Sequence, residues 1–184
     1  AILDLLDAED IPYVLVHNEP PHPGRAAVCV DNAAATFALT ETMIAAGHRR
    51  IAYLAGRFAT SDRARRRHEG YRAAMEKAGL EPEVPLELDY LGDAPSHAEA
   101  LAGLFRAGAP PTAALCSNDL LALSVVAALF KIRFRVPDDV SVAGFDGIAL
   151  GGAVHPTLAT VDTPTRLMGE RAVALLFAMI NEGA

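Results

Sequence analysis

The sequence predicts a doubly wound α/β fold. Short apolar runs recur along it, each is followed by a turn and usually by a longer helical pattern, and the runs are apolar through their length. Strands buried on both faces of a parallel sheet read in this way.

The elements follow in order. Residues 1–10 read as the tail of a helix already under way, and 13–16 and 27–30 as buried strands. Asp31-Asn32 precede an alanine-rich helix over 33–46 that Gly47 stops. Ile51 to Ala55 forms a strand that ends at Gly56 and opens onto the polar and cationic stretch 57–71. Ligand contacts in α/β proteins lie in such a crevice beyond strand tips. A helix over 63–78 stops at Gly79, the Pro-containing segment 81–85 is a surface loop, and 86–90 is a more polar edge strand. Ser96 with Glu99 three residues on has the spacing of a capping box, which opens a helix over 96–107. Residues 112–116 and 141–144 are strands, and 119–130 and 165–181 are helices.

Composition narrows the function classes. The 184 residues carry 52% apolar and 21% charged side chains with no tryptophan, an ordinary globular balance in one sizeable core or two smaller ones. A net charge of −7 argues against wrapping a phosphate backbone. The basic cluster Arg63, Arg65, Arg66 and Arg67 is equally well a solvated helix face. Cys29 and Cys116 lack the spacing of a zinc or redox pair, which fits a reducing cytoplasm. No run reaches the roughly 18 apolar residues that span a bilayer, and no signal peptide opens the chain. Neither a nucleophile elbow, a phosphate-cradling loop nor a metal-ligand cluster occurs, so catalysis, a cofactor and a metal are not expected.

Five segments in order, Val30-Asp31-Asn32, residues 46–56, residues 65–72, Cys116-Ser117-Asn118-Asp119 and residues 136–146, resemble the effector-binding domain of the lactose-repressor and galactose-repressor family of bacterial transcription regulators. The resemblance implies a two-lobed periplasmic-binding-protein-like fold, with parallel sheets flanked by helices and an incomplete amino-terminal lobe. Residues 1–56 and 162–184 then belong to the amino-terminal subdomain and 57–161 to the other. The family's helix-turn-helix headpiece would precede Ala1, so operator DNA is a partner only through it. The effector would be a sugar or related polar metabolite, held in the cleft between lobes whose closure changes how the dimer holds DNA. A periplasmic sugar-binding protein of a transporter is the alternative, since it shares the architecture.

Four residues are the candidate ligand contacts. By resemblance Arg67, three residues before Gly70-Tyr71, reaches effector hydroxyls or a carboxylate, for which a guanidinium offers rigid paired donors. Asn118 either caps the following helix or offers its amide to a polyol. Asp146, at the tip of the strand through Phe145, accepts from adjacent hydroxyls or closes its own turn. Relatives often have Asp or Asn next, where this chain has Gly147. Tyr90 falls where relatives place an aromatic that stacks on a sugar or base. His17 and Phe58 sit at strand ends, where a structural role is commoner. The helix from Leu120 to Phe130 is apolar nearly all round, and is buried either within one chain or, as the resemblance favours, partly in a homodimer contact.

Overall fold

Tyr53 and Leu54, neighbours in one strand, are both fully buried and belong to different cores. That is the signature of a sheet covered on both faces. The structure is a computed structural model describing residues 2–20, 22, 24–89, 94–106 and 108–182. Contacts divide it into two compact units, Ala1–Val30 with Pro164–Ala184, and Asp31–Thr163.

The second unit holds a wholly parallel five-stranded sheet. Its strands are β3 (Ile51–Ala55), β4 (Leu86–Glu87), β5 (Ala113–Cys116), β6 (Ser141–Asp146) and β7 (Ala159–Asp162), in spatial order β4-β3-β5-β6-β7. Along β3 the side chains alternate. Ile51, Tyr53 and Ala55 join Met43 of α2 (Asn32–Ala45) with Tyr71 and Met75 of α3 (Asp62–Lys77). Ala52 and Leu54 join Leu101 and Phe105 of α4 (Ala94–Phe105) and Leu121, Val125 and Leu129 of α5 (Asp119–Lys131). Because β4 lies on one side of β3 and β5 on the other, strand order reverses between β3 and β5. A crevice opens at the carboxyl ends of such a switch point.

Packing of α2 on α3 requires Gly70. A Cβ there would stand 2.1 Å from the Ala33 carbonyl oxygen, a backbone atom that cannot rotate away. The first unit is smaller. It comprises α1 (Ile2–Ala8), a two-stranded parallel sheet of β1 (Leu15–Val16) and β2 (Ala27–Val28), and α7 (Thr165–Glu182), which packs on both strands; Arg25, just before β2, pairs with Asp4 at 2.8 Å and Asp7 at 2.6 Å of α1.

Some expectations are corrected. The unit boundaries fall after Val30 and Thr163, not after residues 56 and 161, because β3 pairs with β4 and β5 and α2 packs on α3. Helix α4 begins at Ala94, so Ser96 lies inside its first turn rather than at a cap. Pro95 is tolerated there because its missing N–H has no intrahelical acceptor. Three elements went unread: the 3-10 turn Phe58–Thr60, the short α6 (Ala149–Ala153), and β7, whose sequence Ala-Thr-Val-Asp has no apolar run.

Candidate functional site

A strand tip, a helix start and a neighbouring strand tip meet at Arg67. Ser61 caps α3 by accepting from the Ala64 N–H at 3.1 Å, which fixes the helix start beyond β3. One and a half turns on, Arg67 is only 4% exposed. Its guanidinium donates through Nε to Asn32 Oδ1 at 2.8 Å, through Nη1 to the Ser117 carbonyl, and through Nη2 to Asp146 Oδ1 at 3.1 Å. The same group lies flat enough on Phe145 to put Cζ 3.6 Å from the ring centroid. Three of five N–H donors are thus engaged, and two remain.

Asp146 is the more exposed partner, at 35% for its side chain. Burial pushes its carboxyl up from the ordinary value, although Arg67 pulls the other way. Burial likewise pushes the Arg67 guanidinium down against the pull of Asp146. Both directions say that desolvation exceeds what the pair returns, the usual balance for a buried ion pair. Asp146 has φ 119°, a region that side-chain-bearing residues rarely occupy, and Gly147 follows at φ 71°. A Cβ on Gly147 would stand 2.5 Å from Asp162 Oδ1 and 2.9 Å from the Asp162 Cα, which accounts for glycine at this turn. Asp119, fully buried, anchors this turn: its carboxylate accepts from the Ile148 N–H at 2.9 Å and the Thr160 hydroxyl at 2.6 Å. Strain concentrated on one polar residue at a strand tip is common in ligand sites.

The structure thus brings Arg67 and Asp146 into direct contact and puts Asn118 next to the Ser117 carbonyl that Arg67 holds. Asn118 caps α5, with Oδ1 accepting from the Leu121 N–H at 2.8 Å, and the cap leaves its amide nitrogen as a donor. Tyr90 lies outside the described residues. Phe58 packs among the rings of Tyr53 and His68, at centroid distances of 6.4 and 5.3 Å, and His17 is a residue of the other unit. Asn32, Ser117 and Phe145 were not singled out from sequence. The one available signal was Asn32, a polar residue beginning an otherwise alanine-rich turn, and it read as part of a cap. Asp31 does the capping instead, accepting from the Ala34 N–H at 2.9 Å.

The arginine cluster separates into distinct roles. Arg66 pairs with Glu69 at 3.0 Å, and Arg65 donates to the Phe58 carbonyl. Helix α5 is amphipathic in burial though not in composition. Leu121, Ala122, Val125, Ala128 and Leu129 are buried, while Leu120 is 64% and Phe130 48% exposed, so burial on all sides within one chain is overturned. A cavity of about 500 Å³ in the first unit is lined by Asp7, Tyr13 and Arg25, which bond to one another, and by none of the predicted site residues. Among the described residues no group of three or more His, Cys, Asp or Glu could hold a metal ion. No described helix is long and apolar enough to cross a membrane.

Known proteins resemble this chain in sequence and fold. Residues 40–184 match the family described as periplasmic binding protein-like domain. The ribose operon repressor of Escherichia coli (strain K12) is 35% identical over 78% of this chain and 43% of its own length. For the HTH-type transcriptional repressor PurR of Pasteurella multocida (strain Pm70) the figures are 33%, 79% and 43%. A solved sugar-binding transcriptional regulator of the LacI family from Escherichia coli superposes with a TM-score of 0.84 at 29% identity, over 97% of this chain and 64% of that one. The chain spans about half the length of the curated relatives it matches.

Proposed function

The chain belongs to the periplasmic binding protein-like domain family, of the kind found in LacI-family regulators, and from that premise we propose that it senses a small polar effector for a DNA-binding transcriptional regulator. The observation that carries the reading is the buried guanidinium of Arg67, held by Asn32, Ser117 and Asp146 at the carboxyl ends of β5 and β6, beside the switch point of the sheet. A buried ion pair whose desolvation exceeds its attraction is poor support for stability alone. At a ligand site it has a use, because two guanidinium donors and one carboxylate oxygen stand ready without rearrangement. A sugar fits that inventory first, since vicinal hydroxyls accept from the guanidinium and donate to Asp146, and the Asn118 amide adds a donor.

Operator DNA is contacted by other parts of the regulator in this reading, as the chain's charge of −7 repels a phosphate backbone. The protein works in the cytoplasm, where that DNA is, and it catalyses nothing. The exposed stripe of α5, Leu120 and Phe130, is covered by the same stripe of a second copy, as expected of an isologous interface. The effector alters the regulator to the extent that it binds its two states unequally.

A thermal-shift screen of sugars and nucleosides against the intact protein tests the reading. The largest upward shift is expected to disappear in Arg67→Lys, which keeps the charge but not the fork, and in Asp146→Asn, which leaves Arg67 an acceptor. An unchanged ligand response in both variants refutes the site.

A further inference from the structure

Arg63, one helical turn before Arg67 on α3, is the member of the arginine cluster left without work. Arg65, Arg66 and Arg67 each have a hydrogen-bond acceptor or a carboxylate, whereas Arg63 makes no hydrogen bond or ion pair among the described residues, although it is half-buried. Residues four apart share a helix face, so Arg63 lies on the side that carries Arg67 toward Ser117 and Asp146. An arginine with a surface role extends into solvent beside an acidic neighbour, as Arg66 does with Glu69 and Arg72 with Glu76 at 2.9 Å. Of the site's carboxylates, Asp146 is already bound to Arg67, and Asp119 is occupied by Thr160 and Ile148. Arg63 therefore places a cation on the helix face beside the Arg67–Asp146 pair, with no hydrogen-bonded or ion-paired carboxylate of its own among the described residues.

We propose that Arg63 completes an anion subsite beside Arg67 and Asp146, so that the effector carries an acidic group, a carboxylate or a phosphate, on a hydroxylated body. This rests on the effector-site reading above. Arg67 and Asp146 then bind the hydroxyls, and the fork of Arg63 takes two oxygens of the anion. The charge of Arg63 is felt at both partners, as it lowers the pKa of Arg67 and of Asp146. An arriving anion relieves the repulsion between the two guanidinium groups.

Two matched series test the subsite on the intact protein by titration calorimetry: ribose, ribonate and ribose 5-phosphate, and glucose, glucuronate and glucose 6-phosphate. At least one acidic member is expected to bind at least about tenfold more tightly than its neutral parent, with an affinity that falls as salt rises. Preference for only the carboxylate or only the phosphate identifies which acid the subsite takes, and either supports it. Arg63→Ala is expected to erase the preference while the neutral parent still binds, and Arg63→Lys to keep part of it. Neutral and acidic members binding alike, or a preference that survives Arg63→Ala, overturns the subsite and leaves the effector-site reading standing. Failure of all six compounds to bind counts against both.

Discussion

Arg67 and His68 are adjacent in the chain, and their side chains face opposite environments. Arg67 enters the polar junction of three strand and helix ends, and His68 enters an aromatic nest, with ring centroids 5.0 Å from Tyr53, 5.3 Å from Phe58 and 5.9 Å from Tyr71. Burial lowers the His68 pKa, with Arg72 adding to it, and Nε2 is buried with no hydrogen-bond partner. A depressed histidine contributes stability that is present above its ordinary value of 6.5 and is lost as pH falls through its folded value. His68→Phe is therefore expected to raise stability by on the order of 1 kcal/mol at neutral pH and by more at pH 5, read from urea midpoints at both. A variant with the same pH slope as the parent contradicts this. Family resemblance singled out Arg67, at its place three residues before Gly70-Tyr71. Asn32 stood out in the sequence only as part of a helix start, because its amide, 35 positions earlier, becomes an Arg67 partner only when α2 and α3 pack.

That packing is an element-scale property concentrated at Gly70. An alanine there places its Cβ against the Ala33 carbonyl, and relief requires the two helices to separate. Gly70→Ala is expected to cost about 1–3 kcal/mol or more in chemical denaturation, and to weaken effector binding because Asn32 recedes from Arg67. Unchanged stability would show that α2 and α3 are less closely locked. The long elements were legible because their patterns are strong: β3 and β5 are unbroken apolar runs, and α3 stops before Gly79. What was misread lies where pattern is weak. Strand β7 is half-exposed at the sheet edge, and α4 starts before the serine that resembles its cap. The α5 sequence could not tell a buried face from an uncovered one, as both are made of Leu, Ala, Val and Phe.

At the scale of the molecule, the uncovered face of α5 and the placement of the site matter most. Leu120→Asp with Phe130→Asp is expected to leave the fold intact, because both side chains are exposed, and to shift the intact protein from dimer to monomer in sedimentation velocity. A dimer that persists would move the interface elsewhere. The parallel sheet and its covering helices were legible because a doubly wound topology follows from the order of strands and helices. The division into units was not, since it depends on β3 and α2 choosing partners far along the chain. The central claim is that the Arg67–Asp146 junction receives the effector. The most direct test is a crystal structure of the intact protein with the compound giving the largest thermal shift. The account predicts polar atoms of that compound within hydrogen-bond distance of the Arg67 guanidinium and the Asp146 carboxylate. A compound bound elsewhere, with the Arg67–Asp146 pair untouched, would contradict it.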